Sequence, residues 1–308
     1  LLPSIQNSLS AEVIAERQAQ LIQAFGQILQ DPQLDNAFKE LMLNLPSYAY
    51  LAEQLEVIDP QAIVLAREAL KKAISLALYS NWQETAVKTQ SHGAYSPDAA
   101  SAGRRALLGL AYMHLCNAAL EKQDSVWPGK CLQTVKTANN LTDRMNAFNA
   151  LIAAKHPLAQ DAAMHLYENA KSDALVLDKW FTAQALAPDA SGSSLKAVQQ
   201  LMKHPDFEIK NPNRARSLIF AFCNSNPSGF HQADASAYVF WADRVLELDA
   251  LNPQVSARLA RSLDAWKKLA SPYKEAAHEA LQRVAQNPQL SKDLSEVIHK
   301  ALGADVSV

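Results

Sequence analysis

Apolar residues recur at intervals of three to four along most of this chain, and proline or Asx pairs break the pattern at short intervals. Behind Ser10, the residues Ile14, Leu21, Ile22, Phe25 and Leu29 form one stripe and predict a helix over Ala11–Gln30. Asp31-Pro32 leads into Leu34, Phe38, Leu41 and Met42, and Pro46-Ser47 into a short helix reaching about Leu55. Asp59-Pro60 opens a long helix through Ile63, Leu70, Ile74 and Leu78. Gln90 to Tyr95, with His92, reads as loop, and Ser96-Pro97 starts a helix to about Glu121. Trp127-Pro128-Gly129 reads as a break before a helix over Lys130–Ala138. Helices follow behind Thr142-Asp143, His156-Pro157 and Ser172-Asp173. Ala187 to Ser193 is the most linker-like segment, and Leu195 to His204 returns to helix. Ser271-Pro272 opens another to about Ala285; Ser291 caps the last, which Gly303 ends.

Three Asn-Pro pairs punctuate the stretch 211–258: Asn211-Pro212, Asn226-Pro227 and Asn252-Pro253. Asn at the N-cap accepts from the first free amides, and Pro at N1 has no amide to leave unsatisfied. Behind the first pair run Leu218, Ile219, Phe222 and Cys223; behind the third run Val255, Leu259, Leu263 and Trp266. Between them, Ser228-Gly229-Phe230-His231 reads as a turn. Arg214, Arg216 and Arg258 fall near helix starts, where the helix dipole disfavours cations. Two readings stand: they meet an anionic group, or they are solvated or paired with Asp243, Asp249 or Asp264.

Repeated short-connected helices, roughly fourteen to sixteen of them, imply an all-α chain of antiparallel helix pairs, an irregular α-solenoid of the armadillo or HEAT kind, as a single domain over 1–308. No fixed repeat returns at one interval. Composition agrees: there are only eight glycines in 308 residues, and no alternating β-branched run or Asn-Gly hairpin signal. A formal net charge of −2 argues against nucleic acid or an anionic membrane as partner. No apolar run reaches the roughly 20 residues that span a bilayer. Leu1-Leu2-Pro3-Ser4 lacks a charged n-region, and the chain reads as a piece of something longer. Cys116, Cys131 and Cys223, an odd number beside apolar neighbours, read as buried thiols in a reducing, cytoplasmic compartment.

Candidate chemistry is sparse. No two of the eight histidines are spaced i, i+4, and His165 with Glu168 reads as a solvated pair. Phosphate loops, Cys-x-x-Cys and Gly-x-Ser-x-Gly are absent. Lys71-Lys72 and Arg104-Arg105 read as solvated helix faces, and Trp180 and Trp266 as core.

Several blocks nevertheless resemble, in order and spacing, the C-terminal helical domain of bacterial aminopeptidase N, the M1 family of zinc metalloaminopeptidases. They are Leu45-Pro46-Ser47, Ile58-Asp59-Pro60, Ala138–Asp143, Leu177–Phe181, the stretch 211–258 and Leu290–Leu294. The resemblance spans about Gln20 to Leu302. It implies a domain without a catalytic centre or metal of its own, zinc being held in the preceding catalytic domain of the same polypeptide. It further implies that the domain caps the active site and forms the cavity through which peptide substrates enter. The matching cavity positions are Arg216, Gln254 and Arg258, with Phe230 and His231 at a rim or in packing. Gln254 and Arg258, at i, i+4, share a helix face. Arg214 and Arg216 point about 200° apart, so only one faces a cavity. Set beside this is a free-standing helical-repeat scaffold that binds a protein partner.

Overall fold

A computed structural model of the chain describes residues 10–90 and 93–303. His92 lies outside them. Every regular element among the described residues is helical, and one isolated parallel pairing joins Ile58 to Leu269. The chain folds as two compact units: unit 1 covers the chain up to Ser47 and Leu65–Ser172, and unit 2 covers Tyr48–Val64 and everything from Asp173 on.

Unit 1 holds α1 (Ala11–Gln30), α2 (Asn36–Leu43), most of α4 (Pro60–Ala77), α5 (Tyr79–Thr89), α6 (Ala99–Ala118), α7 (Val126–Thr137), α8 (Leu141–Ala153) and α9 (Leu158–Ala170). Helix α6 is its centre and packs on α2, α5 and α8. It is apolar nearly all round, as a helix with neighbours on several sides must be, with Leu107, Leu108, Leu110, Ala111 and Leu115 buried. The indole of Trp82, fully buried, stacks on the His114 ring at 4.1 Å and 6°. The Ser75 hydroxyl donates to the Lys71 carbonyl at 2.7 Å. That leaves its oxygen to accept from His114 Nδ1 at 2.8 Å and from Asn117 at 3.1 Å. Burial, helped by the Lys71 charge, lowers the His114 pKa to about 3, so the ring is neutral.

Unit 2 holds α3 (Tyr48–Glu53), α10 (Ala174–Ala185), α11 (Ser193–Leu201), α12, α13 (Pro227–Phe230), α14 (Ser236–Leu251), α15 (Pro253–Ala260), α16 (Tyr273–Ala285) and α17 (Lys292–Leu302). Helix α12 has three joined pieces: Pro212–Ala215, a π-turn over Arg216–Phe220, and Ala221–Ser225. Helix α14 packs on α15 and α16, and α17 closes on α15. Asn211, Asn226 and Asn252 all accept from first-turn amides, as their Asn-Pro sequence requires. Gly303 ends α17 at φ +87°, a conformation that costs a residue with a Cβ.

Four local readings are corrected, and one helix that the sequence reading did not cover is added. Asp98, not Ser96, caps α6: it accepts from Ser101 N, and the Ser96 hydroxyl donates to Asp98 at 2.6 Å. Trp127-Pro128-Gly129 does not break the chain but forms the first turn of α7, where proline's missing N–H has no partner to lose. Helix α5 stands beyond Leu78, its buried Trp82, Thr85, Ala86 and Thr89 spaced as a helical stripe. The helix behind Asn252-Pro253 ends at Ala260 and continues as two 3₁₀ turns, Arg261–Leu263 and Trp266–Lys268. The segment 187–193 is tied down rather than loose. Asp189 accepts from Gly192 N at 2.8 Å and Ser194 N at 2.9 Å, and the Asn226 amide donates to Ala185 O and Ala187 O.

The three thiols are free and buried. Cys116 and Cys131 nonetheless lie 3.5 Å apart, brought together by α6 and α7. Trp180 and Trp266 are buried. Lys71 pairs with Glu68 at 2.5 Å, Lys72 with Glu121, and Glu168 with Lys171 at 2.8 Å.

Candidate functional site: the α12 and α15 arginines and the Ser228–Gln232 turn

Helix α12 sorts its two arginines. Arg214 turns inward: it is 6% exposed, its Nη1 forms an ion pair with Asp178 Oδ1 at 2.8 Å, and its guanidinium lies 5.1 Å over the Phe181 ring. Arg216, two residues on at the start of the π-turn, is exposed, and its Nη1 donates a long 3.4 Å hydrogen bond to Asn213 Oδ1. A structural arginine and an available one thus alternate on the same helix, as the helical angle demands.

Helix α15 presents Gln254 and Arg258 on one exposed face, and Arg261 extends that face one turn further. The buried side of α15 is Val255, Ser256, Leu259 and Ala260, anchored by Ser256 Oγ donating to Val245 O at 2.7 Å and by Trp241 Nε1 donating to Leu259 O at 3.2 Å. The three acids that stand as alternative partners of these arginines are engaged elsewhere. Asp243 pairs with Arg283 at 2.5 Å, Asp249 accepts from Ser291 N at 2.8 Å, and Asp264 lies 3.8 Å from Arg261. Among the described residues Arg258 has no ion-pair partner, so its charge is open to a ligand.

The turn between α12 and α14 is built differently. Phe230 is fully buried, edge-on to Phe222 and Tyr238, which is packing and leaves it no rim surface. His231 is buried, only 9% exposed, its Nδ1 is 2.7 Å from Tyr238 Oη, and its ring stacks on Tyr48 at 6.2 Å. Burial pulls its pKa down to about 4, so it is a neutral imidazole near pH 7. Gln61 Nε2 donates to the His231 carbonyl at 2.6 Å and the Ser228 carbonyl at 3.2 Å, locking the turn. Gly229 is required by close approach: a Cβ there would stand 2.8 Å from the Phe222 ring and 2.9 Å from Ser194 Cβ.

His231 lines a cavity of about 490 Å³ together with Tyr48, Cys223, Arg261, Asp264 and Lys268. Its floor is the segment held by Ile58, whose N–H donates to Lys268 O and whose carbonyl accepts from Ala270 N, both at 2.7 Å. Burial raises the Asp264 carboxyl, against the pull of Arg261 and Lys300. Burial raises the Cys223 thiol and, with Asp59 nearby, the Tyr48 phenol. Neither is ionised near neutral pH. Arg216, Gln254 and Arg258 do not line this space. The predicted set therefore divides: Gln254 and Arg258 share a face, Arg216 stands on a second helix, His231 borders the cavity and Phe230 is core. Arg261 is absent from the predicted set, although its i+3 spacing from Arg258 is a signal that could have found it. Among the described residues no three His, Cys, Asp or Glu side chains are grouped to hold a metal ion.

The family described as a domain of unknown function with ARM repeats, DUF3458_C, matches residues 3–303. Aminopeptidase N of Caulobacter vibrioides is 36% identical over 95% of this chain, and the match takes 33% of that protein. Aminopeptidase N of Escherichia coli is 35% identical over 91% of the chain and 31% of its own length. Among solved structures, Legionella pneumophila aminopeptidase A, in complex with aspartic acid, superposes with a TM-score of 0.81 at 26% identity, over 92% of this chain and 33% of that one. The chain thus spans about a third of the length of the relatives it matches.

Proposed function

This chain belongs to the DUF3458_C family of ARM-repeat domains, and from that premise we propose that it is the non-catalytic C-terminal domain of an M1-type zinc aminopeptidase, one that removes N-terminal amino acids from peptides. The observation that carries the reading is continuous identity of 33–36% with three aminopeptidases N across more than nine-tenths of the chain, confined to about a third of each. The described residues do not fit a zinc site, so the metal is assigned to the preceding catalytic domain of the same polypeptide. This chain's part is to cap that active site, wall the cavity by which peptides enter, and contact the peptide's C-terminal end.

The face of α15 suits that last task. A guanidinium makes paired N–H···O bonds to a carboxylate, and Arg258 is exposed without an acid of its own among the described residues. Gln254 stands one turn before it and offers an amide to the peptide backbone. Arg216 supplies a second exposed cation, while Arg214 is committed to Asp178. His231, neutral and hydrogen-bonded to Tyr238, holds the turn in place and carries no charge to the substrate. No helix among the described residues is long and apolar enough to cross a membrane, and the three free thiols fit a cytoplasmic enzyme.

The test is to purify this chain and the preceding domains separately, verify their metal content, and assay an aminoacyl arylamide before and after mixing while following association by analytical ultracentrifugation. The chain alone is expected to show no turnover, and to bind the preceding domains and change their peptide turnover. Hydrolysis by the metal-verified chain alone would overturn the non-catalytic role. Absence of association, with turnover unchanged on mixing, would favour a free-standing scaffold.

A further inference from the structure

In unit 2, the cavity of about 490 Å³ beside His231 is walled by two aromatic side chains whose polar atoms no described residue completes. The imidazole of His231 is only 9% exposed, and its Nδ1 is taken by Tyr238 Oη at 2.7 Å. Its Nε2 makes no hydrogen bond among the described residues and is not fully enclosed. The ring stacks at 6.2 Å on Tyr48, which lines the same cavity, and Tyr48 Oη is likewise open and without a hydrogen bond among the described residues. Polar groups this far from bulk water are completed by whatever fills the space beside them.

The chemistry of the two groups selects an uncharged occupant. Burial lowers the His231 pKa to about 4 and raises the Tyr48 phenol, so both are neutral near pH 7. A carboxamide, with N–H donors and a C=O acceptor, suits a phenol and either tautomer of the imidazole. The charged walls offer no unanswered charge. Arg261 lies 3.8 Å from Asp264. Lys267 Nζ stands at the carbonyl end of α17, so close that a Cβ added at Gly303 would lie 3.1 Å from it. Lys268 and Glu53, the other two charged walls, are opposite in sign. An ionised head group would lose its hydration here with no countercharge to replace it. The floor is apolar, with Ala52, Ile58, Leu263, Trp266 and Leu269, and the volume is that of a small-molecule site.

We propose that this cavity binds a small uncharged amide with an apolar body, its amide on Tyr48 Oη and His231 Nε2 and its body on the floor around Ile58 and Trp266. The proposal does not depend on the aminopeptidase reading. It is tested by isothermal titration of the full polypeptide with two probes that differ only in the head group, N-acetylphenylalaninamide and the carboxylate N-acetylphenylalanine. The amide should bind saturably, and the carboxylate about tenfold or more weakly at pH 7.5. Tyr48→Phe keeps the ring and removes the hydroxyl; it should weaken the amide about two- to tenfold, the value of one uncharged hydrogen bond. Should that variant fold poorly, Ala49→Trp fills the cavity from an exposed position on α3 and leaves both polar groups in place; it should abolish binding with the melting temperature unchanged. No saturable binding by the parent, equal binding of the carboxylate, or parent-like binding in both variants would each overturn the assignment.

Discussion

Each unit buries a histidine against an aromatic ring, and the two are used differently. In unit 1, His114 lies flat on Trp82 with its Nδ1 held by Ser75, and the cluster is sealed on all sides. In unit 2, His231 stacks more loosely on Tyr48 and bonds Tyr238, but it borders a cavity of about 490 Å³. Desolvation neutralises both rings, to pKa values of about 3 and about 4. A depressed histidine therefore does not by itself mark a functional site. What separates the two is the open space beside one of them, together with the exposed arginine face of α15, the helix that packs on α14, where Tyr238 stands.

The comparison is broken most severely at its sealed side. Trp82→Ala removes a fully buried indole, and unfolding in urea should show a loss of about 3–5 kcal/mol. Tyr48, half-buried at the cavity wall, should cost less when truncated the same way.

Acid tests both rings together. Each folded pKa lies below the usual histidine value, so the unfolded chain takes up the proton first. The stability associated with the neutral rings is complete above about pH 6.5 and falls as pH drops toward 4, by on the order of 3 kcal/mol for His231 alone. Urea midpoints across that window measure it, and His231→Gln should reduce the slope without removing the His114 share.

A smaller effect is expected at the cap that aims the arginine face. Asn252→Ala removes the side-chain acceptor for Val255 N and should cost about 1 kcal/mol in thermal unfolding.

How much of this is legible in sequence follows from what is local. The Asn-Pro caps at 211, 226 and 252 are, because a cap is decided by a few adjacent residues. Helix α14 gives no single stripe, since Tyr238, Phe240, Trp241, Val245 and Leu248 are buried around much of its circumference. Pro128 reads as a breaker because only its position in the first turn makes it harmless. Periodicity says that Arg214 and Arg216 oppose each other; that Arg214 is the inward one depends on Asp178, 36 residues away in sequence. Arg105 reads as solvated but is buried, its guanidinium folded back onto the Ser96 carbonyl and the Tyr95 ring rather than held out to water.

The most direct test of the central claim is Arg258→Ala in the full polypeptide, with KM determined for a peptide with a free C-terminal carboxylate and for an uncharged aminoacyl arylamide. Arg258 is exposed and has no ion-pair partner among the described residues, so stability should stay within about 0.5 kcal/mol of the parent. If Arg258 receives the peptide's carboxylate, KM for the free-acid peptide should rise about ten- to a hundredfold, the value of a lost charge-assisted pair, while KM for the arylamide stays near the parent's. Equal changes for both substrates, or none for the peptide, would contradict the account.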